Sequence, residues 1–282
     1  MAAPKRTSAS RPRPTRQVRK PVSRTPAWLL PAAVVAGLAV VVAAFFLIRN
    51  YINYTPTPLN TTGTSQVVST ITSLPSSEFD SVGQGSATNS FKSVTGSPLT
   101  GPSGKPEVFF FGAEYCPYCA AQRWALIIAL SRFGTFAGLQ TTSSSSTDVY
   151  ANTPTFTFRN ATFSSQYIDF VSVETTDRNR NPLQTPSSDQ QQLVSSYDSA
   201  GSIPFIDFGN RYVTVGAMYL PDKLSGMSWP AVADALQQST SPQAQAILGS
   251  ANLTTAAICK MTGDAPAVCT DTTIQNLEKK LG

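Results

Sequence analysis

"EVFFFGAEYCPYCAAQRWALIIAL", residues Glu107–Leu130, puts two cysteines, Cys116 and Cys119, between a phenylalanine run and an apolar segment of helical period. Val108–Gly112 reads as a buried strand. Pro117–Phe133 reads as a helix, with Trp124, Leu126, Ile127, Ile128, Leu130 and Phe133 forming a broad apolar face. Pro117 falls at the first helical position, where a missing N–H is tolerated and the fixed φ is helical already. Cys116 therefore sits where a helix N-terminus offers unpaired N–H groups and a partial positive charge. Those favour thiolate over thiol. Cys119 lies about one turn further in and is less exposed. The arrangement separates two roles. Cys116 attacks a disulfide as an accessible anion, and Cys119 resolves the mixed disulfide.

The other two cysteines, Cys259 and Cys269, leave three readings open. A four-thiolate zinc site normally takes two close pairs, and the second pair here is wide. Two structural disulfides suit any exported domain. A redox C-x-x-C pair with one structural bridge, Cys259–Cys269, suits the position of Cys116 best. A bridge over so short a loop contributes about 3 kcal/mol. A second feature belongs with the redox reading. In "GSIPFIDFGNRYVTVG", Pro204 stands just before a strand. Such prolines are more often trans, but beside an upstream C-x-x-C a cis Ile203–Pro204 bond is expected. The backbone there would lie beside Cys116 and pair with a substrate peptide as a strand does.

"FFFGAEYCPYC", the apolar helix after it, and the later "SIPF" with its hairpin resemble the thioredoxin superfamily. The Pro-Tyr pair between the cysteines is like that of glutaredoxins. A hydrophobic anchor, a Ser/Thr linker, "GAEYCPYC", a Ser-rich insert and a late cysteine pair together resemble the domain-of-unknown-function family 929, over about residues 65–282. The resemblance implies an α/β, thioredoxin-like fold with an insertion and extra C-terminal helices. It also implies Cys116 and Cys119 as the redox pair and Pro204 as the cis-proline. It implies no particular measured activity. Thioredoxins keep a buried acid six residues before the first cysteine; that position is Phe110 here. Glu114 is the nearest carboxylate and reads as solvated. Periplasmic oxidases often carry His between the cysteines, where this chain has Tyr118. The "TDRNR" stretch, 176–180, is the candidate to hold a glutathione carboxylate, set against the plain reading of solvated surface arginines.

Composition narrows the classes. The 282 residues include no histidine, which removes His bases, Ser-His-Asp and Cys-His systems, and His-containing zinc sites. The net charge of +5 is uneven. Residues 1–49 carry nine basic side chains and no acid, so the remainder is net −4. The basic character belongs to a tail, and no nucleic-acid partner is expected. Residues 27–48 run 22 positions without a charge, enough to cross a bilayer core as a helix. Trp28 and Tyr51 flank the run as interface anchors do. A cleaved signal peptide would have a shorter apolar core and a small-residue cleavage site. Eight positive charges precede the run and one follows, which orients the N-terminus to the cytoplasm.

The expected organisation is a disordered basic tail (1–26), a single transmembrane helix (27–48) and a Ser/Thr/Gly/Pro-rich linker (49–104) with a short docked element at 67–83. A thioredoxin-like domain (105–282) follows. Strands are expected at Thr155–Arg159, Tyr167–Val173, Phe205–Phe208 and Tyr212–Val215, with "TTSSSST" (141–147) as a loop tip. Helices are expected at Ser188–Tyr197, Trp229–Gln238, Pro242–Leu248, Thr254–Lys260 and Thr272–Leu281. Sequons at Asn53, Asn60, Asn160 and Asn252 fit an exported domain. The expected function is disulfide exchange with extracytoplasmic protein thiols and disulfides at a cell membrane. It needs no metal or organic cofactor, and a membrane or soluble redox partner recycles the pair. The rival is a non-catalytic thioredoxin-like binding or structural module held by two disulfides.

Overall fold

The computed structural model describes residues 35–45 and 57–281, and the chain divides into two compact units, 1–48 and 49–282. In the first unit, residues 35–45 form an exposed helix. No helix among the described residues is long and apolar enough to cross a membrane, and the rest of the expected 27–48 span lies outside them.

The second unit is a mixed α/β fold around a five-stranded sheet. Its strands are β1 (Lys92–Ser93), β2 (Glu107–Gly112), β7 (Asp169–Glu174), β8 (Phe205–Phe208) and β9 (Tyr212–Val215), in the order β1-β9-β8-β2-β7. β2 lies inside the sheet, parallel to β7 from Glu107↔Asp169 to Gly112↔Glu174 and antiparallel to β8. Its near-continuous apolar run suits that place, because both of its faces are covered. Phe110 faces the main core and Phe109 the opposite layer. There α4 (Ser188–Tyr197) brings Val194 onto Phe109, Phe205 and Val213. A Ser187–Gln190 capping box starts that helix.

On the other face lies α3 (Pro117–Ser131), buried from Cys119 through Leu130 and packed against α6 (Pro242–Thr262). A helix apolar all round is one enclosed on all sides. Between α3 and β7 the chain inserts two antiparallel pairs. These join β3 (Gly134–Ala137) to β6 (Thr162–Ser165) and β4 (Gln140–Ser143) to β5 (Pro154–Thr157). The β4–β5 pair is fastened to the core. Trp124 Nε1 donates to Pro154 O at 2.8 Å, Thr155 Oγ1 to Ala120 O at 2.8 Å, and Trp229 Nε1 to Thr155 O at 2.6 Å. Part of the expected loop tip is therefore strand. Its Ser and Thr residues look like turn formers until β5 supplies a partner.

Two further expectations change. The linker expected at 49–104 carried a short docked element at 67–83, and the docked part is larger: α1 (Thr61–Thr72) and α2 (Ser76–Val82) bury Val67, Ile71, Phe79 and Val82 in the main core. Ser and Thr dilute the composition, but Thr64, Val67 and Ile71 fall on one helical face, and packing outweighs modest propensity. The helices expected at 242–248 and 254–260 are one. Gly249 sits in its interior because a Cβ there would come within 2.1 Å of Gln84 O. Short helices α5 (Trp229–Leu236) and α7 (Thr272–Glu278) complete the fold.

Candidate functional site

The start of α3 sets the geometry of the dithiol. Cys116 is the N-cap residue, with extended backbone at φ −74° and ψ 120°. Its Sγ accepts the Cys119 N–H at 3.3 Å, satisfying one of the donors that every helix start leaves open. Its own S–H donates to Ile203 O at 3.8 Å. The Ile203–Pro204 bond is cis. Cys116, Cys119 and the Pro204 turn are thus brought together from two distant parts of the chain. Cys116 and Cys119 are not bonded to each other.

The two thiols are driven apart in acidity. The hydrogen bond from the Cys119 side chain holds Cys116 below the usual thiol range, with the Cys119 N–H and the Arg123 charge adding to it and burial opposing. Burial pushes Cys119 well up, and the neighbouring Cys116 adds to that. The sequence reading asks for an exposed Cys116, but only 5% of it is open and Cys119 is closed altogether. The carbonyl of Ile203 lies against the first sulfur and occupies the approach that a free helix end would leave.

Beneath the dithiol lies a buried ion pair that the sequence reading did not single out. Arg123, one turn after Cys119 on α3, donates from Nε to Glu174 Oε1 at 2.8 Å and from Nη2 to Glu174 Oε2 at 2.6 Å. Nη2 also donates to Ala113 O at 2.8 Å. Both side chains are fully buried. Phe110, in the place of the thioredoxin acid, packs edge-on to Phe158 at 5.2 Å and lies 5.5 Å under the guanidinium. Glu114 is buried rather than solvated, because its N–H is bonded to Thr176 O and the residue is drawn into the fold. The available signal was Arg123 itself, a charge inside the otherwise apolar "WALIIAL" helix.

The rim is built by the insertion. Tyr118 packs edge-on to Tyr150 at 5.8 Å between ring centroids. Arg180 lies 3.9 Å over the Tyr115 ring and pairs with Asp148 at 3.2 Å. Arg178 donates from Nη2 to Asn152 Oδ1 at 2.9 Å and to Ser144 O at 3.3 Å. The two arginines of the "TDRNR" stretch thus hold the loop between β4 and β5 against the cysteine pair. Cys259 and Cys269 lie apart from this site, as a disulfide joining the end of α6 to the turn before α7. That bond removes two of the four thiolates the zinc alternative requires. No cluster of three or more metal-ligating side chains occurs among the described residues.

Fold and site together define a mixed α/β protein that presents an unbonded C-x-x-C pair at a helix N-terminus beside a cis-proline turn. Residues 90–260 match the family model "Domain of unknown function (DUF929)", more than half of the chain, and the chain belongs to that family. The match takes in Cys116, Cys119, Arg123, Glu174 and Pro204. No curated protein and no solved structure matches the chain.

Proposed function

We propose that this protein is a membrane-anchored thiol–disulfide oxidoreductase with a thioredoxin-like body, acting outside the cell membrane on protein disulfides. The observation that carries the reading is the N-cap position of Cys116. A sulfur that accepts a helix N–H and lies below the ordinary thiol range is a prepared nucleophile. The β2-α3-β7-α4-β8-β9 order supports the thioredoxin-like description, and so does the cis-proline turn against the first sulfur. The apolar run 27–48 and its flanking charges support the anchor and its orientation.

The reaction needs no further group. Cys116 thiolate attacks one sulfur of a substrate disulfide, and the other sulfur leaves as a thiolate and takes up a proton. Cys119 then loses its proton and attacks Cys116 Sγ, which releases the second substrate thiol and leaves a Cys116–Cys119 disulfide. Two electrons pass from the protein dithiol to the substrate, and the reverse sequence oxidises a substrate dithiol.

One observation favours a second reading. Cys116 is only 5% open, as befits a non-catalytic binding or structural module. A Cys119→Ser variant separates the two, because it cannot resolve the first intermediate. Expressed in a cell that exports it, the variant accumulates adducts that a thiol reductant dissolves. Absence of any adduct would leave the passive module standing.

A further inference from the structure

The geometry points to Arg123 as the positioning residue that lets the buried second thiol ionise, a role that rests on the oxidoreductase reading above. Cys119 and Arg123 are four residues apart on α3, hence neighbours on one helical face. Both lie against the same ring and turn. A Cβ on Gly112 would come within 2.7 Å of Phe110 Cζ and 3.1 Å of Cys119 Sγ. The guanidinium lies over that Phe110 ring and bonds the next carbonyl, Ala113 O. Nε and Nη2 are used, whereas Nη1 is buried with no partner among the described residues.

An unpaired N–H on a buried cation is costly and calls for an explanation, a use in another state of the molecule being one. Here that state is Cys119 as an anion. During resolution, Cys119 must lose its proton in a closed, dry site. It then attacks Cys116 Sγ, forming the Cys116–Cys119 bond and breaking the bond from Cys116 to the substrate sulfur. The expelled substrate thiolate takes up a proton. A fixed cation one turn below makes the transient negative charge affordable where Phe110 supplies no acid. Glu174 holds the guanidinium in place and moderates its charge. Arg123 favours the thiolate form of both cysteines, in the direction this role requires.

The test loads Cys116 of the full-length chain from a chromogenic aromatic disulfide, which releases one aromatic thiol, and follows expulsion of the second by Cys119 as a function of pH. In the wild type, Cys116 is already bonded and carries no charge beside Cys119. Burial then still holds the midpoint up, and Arg123 pulls it down. In Arg123→Met combined with Glu174→Gln, expulsion at pH 7 slows about tenfold and the midpoint rises by about one unit, since thiolate fraction falls tenfold per unit below the pKa. Glu174→Gln alone keeps the cation, removes its counter-charge and moves the midpoint down. A purely structural part for the pair predicts no such opposite shifts. Unshifted profiles or shifts of one sign would overturn the role of Arg123. Failure of the wild type to take up or expel the aromatic thiol would instead bring down the oxidoreductase reading, and this role with it.

Discussion

Cys116 and Cys119 differ by one helical turn, yet their environments push them in opposite directions. Cys116 receives two hydrogen bonds from Cys119 that favour its anion, whereas Cys119 is sealed and disfavoured as an anion. In the reduced protein, alkylation near neutral pH should therefore modify Cys116 first, by at least about tenfold, as thiolate fraction sets the rate. Mass mapping of the two sites reads this directly, and equal, slow modification would contradict it. The spacing of the cysteines, the proline between them and Pro204 were legible in the sequence, because helix starts and proline turns are local matters. Arg123–Glu174 was not. Its partners are 51 positions apart, and only the parallel pairing of β2 with β7 carries Glu174 to α3. The exposure of Cys116 was misjudged for the same reason, since Ile203 reaches it across 87 positions.

At the scale of elements, strands and helices with a strong apolar run were legible nearly to their ends, α3 and the β8–β9 hairpin among them. Those that depend on a partner were not: β4 is a polar strand that reads as a turn until β5 pairs with it, and α1 hides a useful face in a Ser/Thr-rich stretch. α6 illustrates the opposite error, in which a glycine inside a helix reads as a break. Gly249→Ala should raise helix propensity by about 1 kcal/mol in isolation. Here the added methyl meets the Gln84 carbonyl at 2.1 Å, so the variant should instead be destabilised by about 1–3 kcal/mol. Denaturant unfolding gives the sign. The Cys259–Cys269 bridge closes a separation of 10 residues between α6 and α7. Replacing both by serine should lower stability by about 3 kcal/mol while the reactivity of Cys116 is retained.

For the molecule as a whole, the acidic balance of the body is joined to two carboxyls buried near the start of β2. Burial, then the nearby Asp207 and Asp169, push Glu107 up to about 7, and burial pushes Asp207 up to about 6. Each therefore binds its proton more tightly in the folded chain than in the unfolded one. Their contribution to stability is complete below the ordinary carboxylate range and is lost as pH rises through 6 to 7. The melting temperature should fall between pH 5 and 8, and Glu107→Gln should flatten that fall. An unchanged slope in the variant would assign the dependence to other groups.

Asn252 carries a different kind of information. Its amide is spent on Phe79 O and Gly83 O, both at 2.8 Å, inside the seam between α6 and α2, whereas Asn60 and Asn160 lie open. In a host that attaches sugars to exported chains, a glycan at Asn252 can be added only before that seam closes. The ratio of its occupancy to that of Asn60 and Asn160 is then a clock, timing the docking of α6 against the passage of the transferase.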